Sequence, residues 1–145
     1  MNAIVREQGQ GTRYVLRGSE IIFKALGSET GGVFSFLERE VPAGGRMPPA
    51  HRHQGPEAFY VLDGVLEFRV GEDVVKGGPG AFVLVPPCVG HTFGNTSDAS
   101  ARLLTIHAPA ADPYFAEMHE LWAAPDPPTA EQEREVQRRH GLDPV

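Results

Sequence analysis

Between residues 12 and 109 the apolar residues fall in short runs, and nearly every run is closed by glycine or proline. Residues 12–17 and 20–25 form two such runs, split by Gly18 and Ser19. The cluster GSETGG at 27–32 is a turn. Residues 33–41 read as a strand with imperfect alternation. Phe34 and Phe36 share a face with Glu38 and Glu40, so the strand is expected to leave the core midway. A Gly/Pro-rich loop covers 42–49. Residues 58–62 are strand-like, and Asp63-Gly64 is a strong hairpin signal. Leu66, Phe68 and Val70 then alternate with Glu67 and Arg69. Turns at 71–73 and 77–80 precede a short apolar strand, 81–85, stopped by Pro86-Pro87. Residues 91–95 and 101–107 complete the series. Many short strands punctuated by glycine and proline indicate an all-β sandwich, jelly roll or closed barrel.

The period changes after residue 110. Asp112 reads as an N-cap with Pro113 at the first helical position. Phe115, Met118, Leu121 and Trp122 follow at helical spacing and give one apolar face. That helix either packs on the barrel wall or forms a lid over the barrel mouth. The segment 125–128 breaks it. Thr129 with Gln132 makes a capping box for a second, mostly charged helix over 130–140, ending at Gly141. The expected organisation is therefore residues 1–109 as a β unit and 110–145 as a helical extension packed on it.

Composition narrows the function classes. A chain of 145 residues suits one domain with a core of its own. Cys88 is the sole cysteine, so no internal disulfide forms and nothing points to an oxidising compartment. The net charge is −6 and basic residues are not clustered. Nucleic acid and anionic membrane are not the expected partners. Residues 1–10 lack a charged-then-apolar leader pattern, and no apolar run approaches the roughly 20 residues of a membrane span. A cytoplasmic protein with a small-molecule ligand is the expectation.

The chemistry concentrates in two runs. The first holds Gly45, His51, His53, Glu57 and Gly64; the second holds Gly80, Pro86, His91 and Asn95. In a strand, residues i and i+2 share a face, so His51 and His53 point to one side, with Glu57 joining if the turn between keeps phase. His91 arrives from a separate strand. Three imidazoles and a carboxylate suit one divalent transition metal, with Mn, Fe, Co, Ni, Cu and Zn all compatible. By parity, a site-facing Glu57 places Phe59 and Val61 inside, and Phe93 and Asn95 follow His91. Arg52 alternates with the histidines and points away. The face of His107 is open. His119 and His140 read as solvated or structural. Ala58, Tyr60 and Leu62 form an apolar outward set that suits burial against another element or protomer.

These two runs resemble the two sequence motifs of the cupin superfamily, with one departure at Cys88, where the family usually has glycine. Cysteine adopts positive φ poorly, so that turn's geometry is placed in question. The resemblance covers about residues 33–108. The C-terminal helices also resemble those of small single-domain cupins related to quercetin dioxygenases. The likeness implies a single jelly-roll β-barrel (a double-stranded β-helix) with two short C-terminal helices, a metal on His51, His53, Glu57 and His91, and a homodimer. It further implies that Glu57 both ligates and accepts a substrate proton, as in a metal-dependent dioxygenase.

Met47 and Arg46 are positioned at the entrance, and Met47, Phe59, Leu66 and Phe93 are the expected substrate contacts, with Trp122 as a further apolar candidate. Three functions follow. An oxygenase would act on a small aromatic or enol-bearing compound. A metal-containing binding protein would show no turnover. A metal-assisted isomerase would run without O2. No G-x-S-x-G elbow or phosphate-cradling loop competes with this site.

Overall fold

The structure is a computed structural model that describes residues 2–44 and 47–145. Gly45 and Arg46, named above for the motif and the entrance, lie outside the described residues. The strands, in chain order, are β1 (Thr12–Leu16), β2 (Ser19–Ala25), β3 (Ser35–Val41), β4 (His51–Arg52), β5 (Glu57–Asp63), β6 (Leu66–Val70), β7 (Asp73–Gly77), β8 (Phe82–Val85), β9 (His91–Gly94), β10 (Ala101–His107) and β11 (Asp143–Pro144). The helices are α1 (Asp112–Trp122) and α2 (Ala130–Arg139).

Two antiparallel sheets face each other, ordered β1-β2-β3-β10-β5-β8 and β11-β4-β9-β6-β7. Neighbours such as β3-β10-β5 and β4-β9-β6 are distant in sequence, which is jelly-roll connectivity. The period-2 rule sorts the side chains. Ala101, Leu103, Thr105 and His107 of β10 face inward, as do Glu57, Phe59 and Val61 of β5. Tyr60 and Leu62 face out.

Two local expectations about the strands fail, each for an identifiable reason. In β3 the inward row is Ser35, Leu37, Arg39 and Val41, not the row of phenylalanines. The strand stays in the sheet throughout, and an arginine occupies an interior position. Asp63-Gly64 does not close a hairpin within one sheet. β5 pairs with β10 and β8, while β6 lies in the opposite sheet. Gly64, at φ 76°, carries the chain across, and its Cα lies so close to Ala101 and the Ser100 carbonyl that a Cβ would collide. The true hairpin is β6–β7, turning at Gly71-Glu72. β7 carried no alternation because most of its residues are exposed.

Two apolar clusters result. Val41, Phe59, Val61, Leu66, Phe68, Val85, Phe93, Ala101 and Leu103 fill one end between the sheets. Leu16, Ile21, Phe23 and Leu37 instead meet Tyr114, Phe115 and Met118 of α1 and Val136 of α2. α1 begins one residue earlier than expected, with Asp112 inside the helix and not capping it. Ala111 is the N-cap, and Asp112 Oδ1 instead accepts from the Gly27 amide at 2.8 Å, tying the helix to the 27–29 turn. α2 starts at the Thr129–Gln132 capping box as the pattern requires. Its Glu133 and Gln137 are buried. β11 then adds to β4, so the C-terminal segment contributes a strand beside His51.

Candidate metal centre

The four candidate ligands come from both sheets. Glu57 opens β5 in the first sheet. His51 lies in β4 of the second and pairs in register with His91 of β9; His53 follows one residue after β4. One donor atom from each of the four lies within 4.8 Å of every other. The His51 and His91 ring centroids are 4.6 Å apart, and those of His53 and His91 4.8 Å.

Backbone carbonyls orient each imidazole. Nδ1 of His51 meets the Pro49 carbonyl at 3.1 Å, Nδ1 of His53 the Gly55 carbonyl at 2.7 Å, and Nδ1 of His91 the Val89 carbonyl at 2.9 Å. A carbonyl only accepts, so each Nδ1 carries the proton and each neutral ring presents its Nε2 lone pair to the centre. Gln137 of α2 donates through Nε2 to the same Pro49 carbonyl at 3.3 Å, which ties the helix to the group that orients His51. Gly55 lies so close to the Ala108 carbonyl that a Cβ there would collide, which explains glycine beside the His53 anchor.

This donor set fits a metal on its own chemistry. Nε2 of His53 and of His91 lie 3.0 and 2.9 Å from Glu57 Oε2. With Nδ1 protonated, each of these short contacts needs a further proton or a cation between Nε2 and the carboxylate oxygen, and one divalent ion can take the place of those protons. Metal bonds to imidazole nitrogen and carboxylate oxygen are about 2.0–2.2 Å, so donors about 3 Å apart are within reach of a single ion.

Electrostatics keep Glu57 and His51 in their ligating forms, whereas His53 is drawn toward its protonated form. Burial alone would raise the Glu57 carboxyl, but the charge and hydrogen bond of His107, with those of His53 and His91, hold it well below the usual carboxylate range. Burial, reinforced by His91, pushes His51 down to about 4, so it is neutral at physiological pH. His53 is also opposed by burial, yet its bond to Glu57 leaves it raised.

His107 resolves onto the site. It pairs in register with Glu57 across β10–β5, and its Nε2 lies 3.0 Å from Glu57 Oε1. An ionised carboxylate only accepts, so His107 donates through Nε2. Oε1 is thereby occupied and Oε2 turned to the three histidines. The buried Nδ1 of His107 has no hydrogen-bond partner. Two inward parities, β5 and β10, were the signal that could have found this contact.

The centre opens into a cavity of about 710 Å³, in the range of small-molecule sites. Phe93, Tyr114 and Phe115 wall it, and Arg17 and Arg39 also reach it. The first turn of α1 thus closes one side of the cavity while its apolar face packs on the barrel. Of the expected ligand contacts, Phe93 lines the cavity. Phe59 and Leu66, 2 % and 0 % exposed, are corrected to core positions, because the inward row dives beneath the cavity floor. Met47 packs against Gly94 instead of lining the cavity. Trp122 joins the helix-side cluster and donates to Glu133 at 2.9 Å.

The motif's remaining members are architectural. Asn95 donates to the carbonyls of Val41 and Ala99 at 2.9 and 2.7 Å and accepts from the Ser97 amide, which ties down the loop after β9. Cys88 is exposed at the cavity rim with φ 66°, and its amide donates to the His53 carbonyl at 2.8 Å. Cysteine therefore occupies a backbone shape suited to glycine. His119 and His140 are structural: the first accepts from the Val15 amide, and the second bonds Glu117 at 2.5 Å.

The family model described as "Cupin domain" matches residues 37–107, a span that contains all four donors. The chain belongs to the cupin superfamily. Solved structures share this cupin fold at low sequence identity. The polyketide cyclase RemF from Streptomyces resistomycificus is 20% identical at TM-score 0.63, over 74% of this chain and 80% of its own. A protein described as a predicted oxalate decarboxylase from Thermotoga maritima is 19% identical at TM-score 0.64, over 74% and 99%. An RmlC-like cupin from Shewanella frigidimarina is 16% identical at TM-score 0.66, over 78% and 96%. No curated protein matches the chain. Among the described residues, no helix of this cupin is long and apolar enough to cross a membrane.

Proposed function

We propose that this cupin is a metal-dependent oxygenase acting on a small aromatic or enol-bearing compound. The observation that carries the reading is the convergence of Glu57 Oε2 with three tautomer-locked imidazoles at the floor of an aromatic-walled cavity. A divalent metal on His51, His53, Glu57 and His91 supplies Lewis acidity to a bound enol oxygen. Glu57 is the proton acceptor for the substrate hydroxyl, since a carboxylate beside that oxygen meets the reach a general base needs. His107 holds Glu57 Oε1 during that transfer. Phe93 and Phe115 pack against a flat ligand, and the floor is sealed from water by Phe59 and Phe68.

Metal analysis of protein purified without chelator, set against His51→Ala and His91→Ala, tests the centre. Wild type is expected to hold one equivalent and the variants far less; equal, sub-stoichiometric contents in all three refute it. Oxygen uptake with a panel of catechols, flavonols and β-diketones tests the reaction. No uptake with any divalent metal loaded refutes the oxygenase reading for those substrates. The second reading, a metal-assisted isomerase, is supported by the same carboxylate, which is buried, ionised and placed for abstraction beside a carbonyl. It is distinguished by turnover under anaerobic conditions. Saturable binding without product in either atmosphere identifies a binding protein.

The same proposal includes a homodimer in the cytoplasm. Tyr60 and Leu62 of β5 and Phe82 and Leu84 of the edge strand β8 are exposed together on the outer face of one sheet. An apolar edge of this kind suits a second copy of the chain. A monomeric mass by light scattering at micromolar concentration refutes the dimer. An exposed thiol at Cys88, with no disulfide, suits a reducing compartment.

A further inference from the structure

The cavity contains a positive charge that the metal chemistry does not use. Arg39 stands in the inward row of β3 and is 7 % exposed. Its Nε donates to Ser19 Oγ at 3.3 Å, while Ser19 Oγ itself donates to the Glu40 carbonyl. Its guanidinium carbon lies 5.1 Å from the centre of the Phe93 ring, the same ring that walls the cavity. Among the described residues Arg39 makes no ion pair, and its Nη1 and Nη2 make no hydrogen bond. Arg17 reaches the same cavity, but its charge is matched: its Nε lies 3.0 Å from Glu133 Oε1. The Nη2 of Arg17 is buried without a partner.

Burying a guanidinium without a counter-charge is unfavourable unless something else supplies one. Arg17 and Glu133 cancel, and Glu57 is committed to the histidine cluster. A divalent ion on the four donors leaves the cavity with an excess of positive charge. Tyr114 lines the same cavity, and its hydroxyl makes no hydrogen bond among the described residues. It adds one neutral donor to the cavity wall that Arg39 shares.

The geometry points to a carboxylate subsite: Arg39 receives the carboxylate of a small organic acid through its free Nη1 and Nη2, with Tyr114 as a further donor, while the acid's other end reaches the metal centre. A planar fork matches a carboxylate with two parallel hydrogen bonds. Phosphate fits less well, because Arg17 is matched by Glu133, Arg52 is solvent-exposed at the cavity's edge and no lysine lines the wall, which leaves Arg39 as the one buried unmatched cation against a dianion. The assignment deepens the proposed function by naming the substrate class, and it rests on that reading only for what happens at the metal end.

Benzoate and its neutral isostere benzamide are the probes, titrated calorimetrically into metal-loaded and chelator-stripped wild type, Arg39→Gln and Arg39→Lys. Benzoate is expected to bind wild type at least tenfold more tightly than benzamide, with or without metal. In Arg39→Gln the ratio is expected to fall to near one, and in Arg39→Lys to an intermediate value. Equal affinities in wild type, or a ratio unchanged in Arg39→Gln, overturn the subsite. So does inorganic phosphate displacing benzoate at equal concentration. Arg39→Met supplies a readout that a purely structural arginine would fail. Its melting temperature is expected to match or exceed wild type, because an unpaired buried charge is removed; marked destabilisation of both Arg39→Met and Arg39→Gln assigns the residue to packing and overturns the subsite. A preserved benzoate ratio in protein that holds no metal supports the subsite while refuting the metal centre. Stoichiometric metal with no benzoate preference does the reverse.

Discussion

Replacing His107 by alanine is expected to weaken metal binding although His107 is not one of the four ligands. The substitution removes the donor 3.0 Å from Glu57 Oε1. Both groups are buried, His107 at 8 % and Glu57 at 6 % exposure, so water replaces the lost bond poorly. A hydrogen bond to an ionised group contributes about 1.5–3 kcal/mol. Outer partners of metal ligands alter affinity by about 10–100-fold, which corresponds to about 1.4–2.8 kcal/mol, so the two scales agree. The carboxylate also gains freedom to rotate, since Oε1 and Oε2 are no longer distinguished. The expected result is therefore an affinity loss of about 10–100-fold, with His107→Gln recovering part of it through the amide donor. The assay is competition against a chromophoric chelator at pH 7.5, with near-ultraviolet circular dichroism to verify that the variant is folded. A folded His107→Ala protein whose affinity stays within about threefold of wild type refutes the argument, because the Oε1 hydrogen bond would then contribute less than about 0.7 kcal/mol.

Leu66→Ala is expected to lower stability by about 2–5 kcal/mol in urea unfolding while leaving metal and ligand affinity unchanged, since Leu66 is fully buried beneath the cavity; altered ligand affinity would return it to the cavity wall. Metal-free protein is expected to lose stability between pH 6.5 and 4. His51 titrates at about 4 when folded, so over that range the unfolded chain takes up a proton that the folded chain refuses, at about 1.4 kcal/mol per pH unit and about 3 kcal/mol in all. His53 has its folded value raised, so its contribution is already complete below pH 6.5 and does not offset this loss; Glu57, depressed when folded, adds a further loss below its unfolded value near 4.5. Urea midpoints that stay flat from pH 6.5 to 4 refute the assignment of His51. Cys88→Gly is expected to raise stability by about 0.5 kcal/mol, the relief of a left-handed φ outweighing the added chain entropy, and thermal melts that show a loss refute it.

The ligands were legible because their chemistry and their spacing are local. His51 and His53 need only strand parity, and His91 needs only a second strand. The barrel, too, was legible from strands cut at regular intervals by glycine and proline. What escaped was set by pairing at a distance. β3 offered two faces, and Phe36 with its neighbours looked more interior than Ser35, Leu37, Arg39 and Val41. The choice was made by pairing with β10, which holds β3 inside the sheet, and by helix α1, which packs on the face that carries Leu37. His107 was undecided for the same reason, because its meaning depends on its register opposite Glu57. Asp63-Gly64 carried a local turn preference, but not the information that the next strand joins the opposite sheet.

The origin of the donors has a consequence for how site and fold depend on one another. Glu57 and His107 belong to one sheet, whereas His51, His53 and His91 belong to the other or to its margin. Without a cation, the contact across that gap depends on protons standing between the imidazole Nε2 atoms and the Glu57 carboxylate, which burial of His51 and His53 opposes. With a cation, the same contact becomes a cross-link between the sheets at the end of the barrel where the apolar cluster stops. A metal bound there therefore stabilises the fold by an amount that rises with the logarithm of its affinity, since ions bind the folded donor set and not the separated ligands. The gap also explains why Gln137 and β11, far along the chain, pack behind His51. They hold β4, a strand of two residues, in place against a carboxylate it cannot otherwise reach with such register.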